Sequence, residues 1–217
     1  MMPITTANAF DELVKTRHSA VNFVKEAKMT EEDFKRIFEL TKLAPSAYNL
    51  QMTNYLVVMD EEKKEKVREL SYNQYKIHTA SGIVIVLGNK NSIEREAVEN
   101  LYRPMLQLGM MDQVDYDTTL GTIDQFANGL KQNPHALELE LTRNSGIHAM
   151  LFMLSAKSLG FDTCPMHVHN VEQLRAEFNI PDYLEPIMMI AVGKSVDKVR
   201  PRGYRKPVNE FVQFNTF

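Results

Sequence analysis

The sequence predicts one α+β domain covering residues 1–217, with a sheet packed between helices. Three observations support this. Helical patterns outnumber strand patterns. The strand-like runs are short, apolar and scattered along the chain, the clearest at 82–88 and 187–192. No internal repeat, low-complexity tract or linker divides the chain into halves.

Taken in order, Thr6 is placed to cap a helix over 7–16. Thr30 opens a second helix, with Glu31, Glu32 and Asp33 behind it at the positive end of the dipole. Phe34, Ile37, Phe38 and Thr41 share one face of that helix. Pro45 biases Ala44 away from helical geometry, so the helix ends there, and a polar loop over 45–51 leads into a strand at 55–59. Residues 61–70 read as an exposed helix, acids first and bases after. The run 82–88 reads as a buried strand bounded by glycines. Within 92–132, Gly109, Gly121 and Gly129 interrupt weak helical patterns, which predicts two helices and a mobile connection.

Pro134 suits the first turn of a long helix running to about 159. Ile147, Met150, Leu151 and Leu154 lie on one face of it, and Gly146, Ala149 and Ala156 would allow close backbone approach. Gly160 stops it. A short strand or extended loop at 161–166, a helix at 171–178 and a buried strand at 187–192 follow. The chain then turns basic over 194–206 and ends on Phe211, Phe214 and Phe217.

Composition narrows the function. Apolar residues are 44% and charged residues 24%, so a core forms without staples. A net charge of −3 gives no sign of a nucleic-acid or membrane partner. The apolar runs fall far short of the roughly 20 residues of a membrane span. Cys164 is the only cysteine, which rules out an internal disulfide and fits a reducing cytosol. The first twenty or so residues carry Asp11, Glu12, Lys15 and Arg17 without an apolar stretch, unlike a signal peptide. A cytoplasmic protein is expected.

Several segments carry chemistry. Arg17-His18-Ser19 offers a cation and a hydroxyl suited to phosphate, or is a polar turn. Pro45, Ser46, Asn49 and Gln51 offer hydroxyl and amide groups in a loop between helix and strand. Asn73 and Lys76 precede the strand at 82–88. Cys164, His167 and His169 supply three metal-ligand types, yet not at zinc-site spacing, so no metal is expected. The tail over 194–206 holds six bases and one acid, either a solvated surface or a nucleic-acid patch, and the former is preferred.

In this order and spacing, Arg17/Ser19, Pro45/Ser46/Asn49/Gln51, Asn73/Lys76, Gly160, Pro165 and Arg205/Pro207 resemble the FMN-dependent nitroreductase family over nearly the whole chain. The resemblance implies a nitroreductase-like α+β fold, a central mixed sheet flanked by helices, and an intertwined homodimer with flavin at the subunit interface. It implies FMN as cofactor and NADH or NADPH as electron donor. The acceptor would be a small electron-poor molecule, a nitroaromatic or quinone, served by ping-pong turnover centred on the flavin. It assigns Arg17, Ser19 and Arg205 to the phosphate, with His18 beside them. Asn49, with Gln51 near it, serves the ribityl chain or polar edge, and Ser46, after Pro45, approaches from the partner subunit. Asn73 is assigned to the pyrimidine edge and Lys76 to the N1–O2 side. Pro165, Met166, His167 and Val168 pack on the ring. Two departures stand out: Val21 replaces a base that many relatives carry, and His167-Val168 replaces an acidic residue or glycine followed by glycine. They keep open a flavin-binding sensor or carrier with little turnover. A metal-binding module at Cys164/His167/His169 is the other alternative.

Overall fold

The computed structural model of the protein describes residues 6–196 and 201–216. Helix α1 (Thr6–Thr16) begins at Thr6 itself, so Thr6 is its first helical residue and not the cap that the sequence predicts. Helix α2 (Glu31–Thr41) starts as predicted. The Thr30 hydroxyl accepts from the Asp33 amide, and the Asp33 carboxylate accepts from the Thr30 amide, a reciprocal capping box. Its inward face, Phe34, Ile37 and Thr41, is buried.

Strand β1 (Thr53–Val58) begins two residues earlier than predicted and stops before Met59. Helix α3 (Glu61–Glu69), capped by Asp60, is not fully exposed. Val67 and the whole Lys64 side chain are buried, and Lys64 Nζ donates to the Ala80 carbonyl at 2.6 Å. Short helix α4 (Tyr75–Thr79) leads to β2 (Gly82–Asn89), buried along almost all its length. Helices α5 (Arg95–Gln107) and α6 (Gln113–Lys131) follow, joined by a hydrogen-bonded turn in which Gly109 takes a φ of +68°. Gly121 and Gly129 lie inside α6 and do not interrupt it, contrary to expectation. A Cβ at either would meet open space, and Leu120, Ile123 and Ala127 anchor the helix by packing.

Helix α7 (Pro134–Ser158) is the long helix, ended by Gly160 at φ +82°. Strand β3 (Asp162–Met166), helix α8 (Val171–Phe178) and strand β4 (Leu184–Gly193) complete the core elements. β4 starts earlier than predicted, with Pro186 inside it at a shift of register opposite Leu87. A bulge is where a sheet tolerates a proline.

The strand order is β1-β2-β4-β3, and all three pairings are antiparallel. The expected mixed sheet is therefore corrected. The only parallel pairing among the described residues is the isolated bridge Ser19↔Thr163. Alternation along β2 divides the core. Ile83, Ile85 and Leu87 face α3, α4 and α8 through Val67, Ile77 and Leu174, whereas Val84 and Val86 face α2 and α7 through Ile37 and Phe152. Gly88 lets α7 close on the sheet, since a Cβ there would stand 2.9 Å from Leu141 Cβ. A third cluster, from Leu50 and Met52 to Tyr102, Leu120 and Leu141, ties α5 and α6 to the rest. Of the basic tail, residues 197–200 lie outside the described residues, as does Phe217. Phe211 and Phe214 are exposed.

Candidate functional site

After α1 the chain runs beside β3. Ser19 bridges Thr163, the Ala20 amide donates to the Thr163 carbonyl at 2.9 Å, and the Val24 amide donates to the Lys194 carbonyl at 2.8 Å. This places Arg17 where the tail returns. Arg202 Nη2 donates to the carbonyls of Arg17 at 2.7 Å and Lys15 at 2.8 Å, a cation at the negative end of α1. Among the described residues, Arg205 Nη1 donates only to the carbonyls of Gly203 and Tyr204. Together Arg17, His18, Ser19, Val21, Arg202 and Arg205 line a cleft of about 190 Å³.

The electrostatics of the cleft are one-sided. Among the described residues, none that lines it is acidic. Arg17 Nη1 is buried and has no hydrogen-bond partner among the described residues. Burial first, then repulsion from Arg202 and Arg205, holds the Arg17 guanidinium below its usual range, with only Cys164 acting the other way. Buried donors are nearly always satisfied, so three guanidiniums around an unpartnered donor fit an anion with several acceptor oxygens. A phosphate is such an anion.

Lys76 on α4 reaches β3, its Nζ 3.4 Å from Cys164 Sγ. Asn73 sits in the turn before α4 with φ 54°, its amide donating to the Arg68 carbonyl at 3.0 Å. Pro165 and Met166 close β3, and His167 and Val168 follow. Val168 packs on the core, and His169 stands 4.7 Å from the Tyr72 ring, next to Asn73. The segments holding Arg17–Ser19, Asn73–Lys76 and Pro165–Val168 thus lie along β3, with Arg205 beside Arg17. Cys164 belongs there by its contact with Lys76. No group of three His, Cys, Asp or Glu is placed to hold a metal among the described residues.

Pro45, Ser46, Asn49 and Gln51 are placed elsewhere. Ser46 Oγ accepts from the Gln51 amide at 2.9 Å, closing the loop on itself. Asn144 on α7 accepts from the Ala47 amide at 2.9 Å, and the Tyr102 hydroxyl of α5 donates to the Tyr48 carbonyl at 2.6 Å. No hydrogen bond among the described residues joins this loop to the Arg17 cleft. Pro45 instead flanks an open apolar groove along α7, about 600 Å³, lined by Ile147, Met150, Leu151 and Leu154. Sequence reasoning missed Tyr102 and Asn144, and it ranks Arg202 below Arg205. Nothing local singles out Asn144, which stands among Glu140, Thr142, Arg143 and Ser145 in α7.

Comparison with known proteins identifies the family. Residues 14–194 match the pattern of the nitroreductase family. "Putative NAD(P)H nitroreductase MhqN" of Bacillus subtilis (strain 168) is 42% identical over 207 residues, covering 94% of this chain and 98% of that protein. The crystal structure of ydfN, a "putative nitroreductase" of Bacillus subtilis, superposes with a TM-score of 0.90 at 39% identity, covering 96% of this chain and 99% of the other. That of a "putative nitroreductase in complex with FMN" from Exiguobacterium sibiricum 255-15 gives 0.86 at 31% identity, covering 97% and 99%. With a family match over most of its length and relatives this similar at full coverage, the chain belongs to the nitroreductase family.

Proposed function

We propose that this protein is an FMN-dependent oxidoreductase, working as a homodimer that passes electrons from NADH or NADPH to a small electron-poor acceptor of the nitroaromatic or quinone type. The observation that carries the reading is the Arg17–Arg202–Arg205 cleft with its buried, unpartnered guanidinium nitrogen. It fits the terminal phosphate of FMN. The fold neighbour from Exiguobacterium sibiricum was crystallised with FMN, and the relative MhqN carries the NAD(P)H nitroreductase name. The sequence has no G-x-G-x-x-G fingerprint for a dinucleotide, which favours FMN over FAD.

When bound, FMN supplies the redox chemistry, accepting two electrons from NAD(P)H and yielding them to the acceptor. The chain's part is to hold and tune it. Arg17, Ser19 and Arg205 bind phosphate, with His18 at the rim and Arg202 fixing the cleft against α1. Lys76 holds a positive charge near the pyrimidine side, and Asn73 offers an amide there. The segment Pro165–Val168 shields the ring from water. Pro45, Ser46, Asn49 and Gln51 complete the site from the partner subunit. Their separation from the Arg17 cleft in one chain, beside an apolar groove where Ile147 and Met150 are each 41% exposed, supports a shared site.

A second reading, a flavin-binding sensor or carrier with little turnover, is favoured by one feature. Val21 lines the cleft where many relatives carry a base. No helix among the described residues is long and apolar enough to cross a membrane, and we place the protein in the cytoplasm. The visible spectrum of purified protein, with chromatography of heat-released cofactor, tests the flavin. A colourless protein that fails to take up added FMN would overturn the proposal. Steady-state NAD(P)H consumption with a quinone or nitroaromatic separates the enzyme from the carrier, and light scattering at micromolar concentration measures the dimer.

A further inference from the structure

The loop between α2 and β1 holds a conformation that needs outside support. Tyr48, Asn49 and Gln51 take φ values of 47°, 51° and 48°, and none is glycine. Left-handed backbone is unfavourable for residues with a Cβ and persists where the surroundings over-determine it. Two long-range side chains do so here. Asn144 Oδ1 accepts from the Ala47 amide at 2.9 Å, and the Tyr102 hydroxyl donates to the Tyr48 carbonyl at 2.6 Å. Asn144 is itself fixed. It is 2% exposed, and its Nδ2 donates at 2.8 Å both to the Glu140 carbonyl and to Glu140 Oε1. Glu140 is also buried, and its second oxygen pairs with Arg143.

We propose that Asn144 is a positioning residue: through the Ala47 amide it fixes the loop so that Ser46, Asn49 and Gln51 meet the flavin of the partner's site. This rests on the FMN reading above. The residue type follows from the neighbours. Asparagine presents an acceptor to the loop and a donor to Glu140 at once. Aspartate would set a second carboxylate against Glu140 Oε1, and leucine, of similar size, would leave the Ala47 amide and Glu140 without their partner.

The test combines hydrogen exchange of the peptide covering 44–52, FMN affinity by fluorescence quenching, and the urea midpoint, all on the full chain. In Asn144→Leu, exchange at Ala47 should accelerate and FMN affinity should fall, each on the order of tenfold for one lost hydrogen bond. Unfolding should stay cooperative. Asn144→Asp should behave similarly. The exchanged pair, Asn144→Asp with Glu140→Gln, should recover much of the affinity, because the amide introduced at position 140 then donates to the carboxylate introduced at position 144. A merely structural role predicts that FMN affinity follows the urea midpoint in every variant. Unchanged exchange in Asn144→Leu, or faster exchange with unchanged FMN affinity, overturns the inference. If Asn144→Leu does not fold, Tyr102→Phe, which removes only the hydroxyl on the Tyr48 carbonyl, must loosen the loop and weaken FMN in the same way, and its failure to do so also overturns it. A wild-type protein that takes up no FMN overturns the functional reading along with this one. Failure of the inference alone shows as wild type and Asn144→Leu binding equally well.

Discussion

Replacing Arg17 by methionine separates a ligand-binding arginine from a structural one, because the two roles have opposite signs. In the folded chain the Arg17 guanidinium is half-buried, and Nη1 has no partner among the described residues. Burial, then repulsion from Arg202 and Arg205, pushes its pKa below the usual range. It remains charged at neutral pH, so that depression expresses an unfavourable charge in the protein without ligand. Methionine is of similar length, fills the same space and carries no charge, so Arg17→Met should leave the melting temperature without FMN unchanged or slightly higher. With FMN, a charge-assisted hydrogen bond is lost, worth about 1.5–3 kcal/mol. The dissociation constant should then rise by roughly one to two orders of magnitude, and the stabilisation conferred by saturating FMN should shrink accordingly. Fluorescence titration and thermal melts with and without FMN measure both. The reasoning is refuted if Arg17→Met binds FMN as tightly as wild type, or if its melting temperature without FMN falls as far as with it.

Further expectations follow from other groups. Lys76→Met should lower the flavin's two-electron midpoint potential by tens of millivolts, since a nearby cation is worth roughly 1–3 kcal/mol to the reduced anion and 30 mV corresponds to about 1.4 kcal/mol. Redox titration at full FMN occupancy measures this, and an unchanged potential means another group stands beside the flavin. Burial acts to raise the Glu61 carboxyl, yet hydrogen bonds from Lys28 and Lys64 hold it at about 2. A folded pKa below the unfolded value gives stability present above 4.5 and lost as pH falls towards 2. Glu61→Gln should therefore destabilise at pH 7 by about 1 kcal/mol, discounted for the exposure of Glu61, and by less at pH 3, as urea midpoints would show. Burial lowers the pKa of His148, whose Nδ1 faces the Tyr55 hydroxyl at 3.2 Å. As pH falls through 6.5 the unfolded chain takes the proton first, so stability drops. The melting temperature should depend less on pH between 7.5 and 5.5 in His148→Asn, and an equal dependence would show that other groups govern that range.

What was legible in the sequence was local. The α2 start could be read because Thr30 and Asp33 form their cap within four residues, and β2 because its apolar run is bounded by Gly82 and Gly88. Gly121 and Gly129 misled because glycine weakens a helix by about 1 kcal/mol without breaking it, and tertiary packing of Ile123 and Ala127 outweighs that. Lys64 misled because a charged residue on an otherwise charged helix reads as solvated. Its burial depends on the Ala80 carbonyl, sixteen residues away. At the site, Arg17, Ser19 and Arg205 were recognisable by type and order. The supports were not. Asn144 and Tyr102 act across separations of 97 and 54 residues, which only folding brings together. Arg202 is no less basic than Arg205, and nothing in the sequence shows that it turns back to the end of α1.

The two faces of α7 bear on assembly. The stripe Ile147, Met150, Leu151 and Leu154 is apolar at helical spacing, as the sequence predicts, yet it lines an open groove. The buried face instead contains Glu140, Asn144, Ser145 and His148 among its apolar residues. Periodicity identifies an apolar face but carries no information about what covers it. A helix whose inward face accepts buried polar groups while its outward face remains apolar is suited to being covered on both sides. Its own sheet covers one, and a second copy would cover the other. The polar side chains on the inward face then have a use. Asn144 fixes the loop carrying Ser46, Asn49 and Gln51, and that loop flanks the groove at Pro45. On this reasoning dimerisation and completion of the site are one event. A charge placed in the groove, Met150→Glu, should produce a monomer and weaken FMN binding together, although residue 150 is not assigned to flavin contact. A monomeric variant that keeps wild-type FMN affinity would break that link.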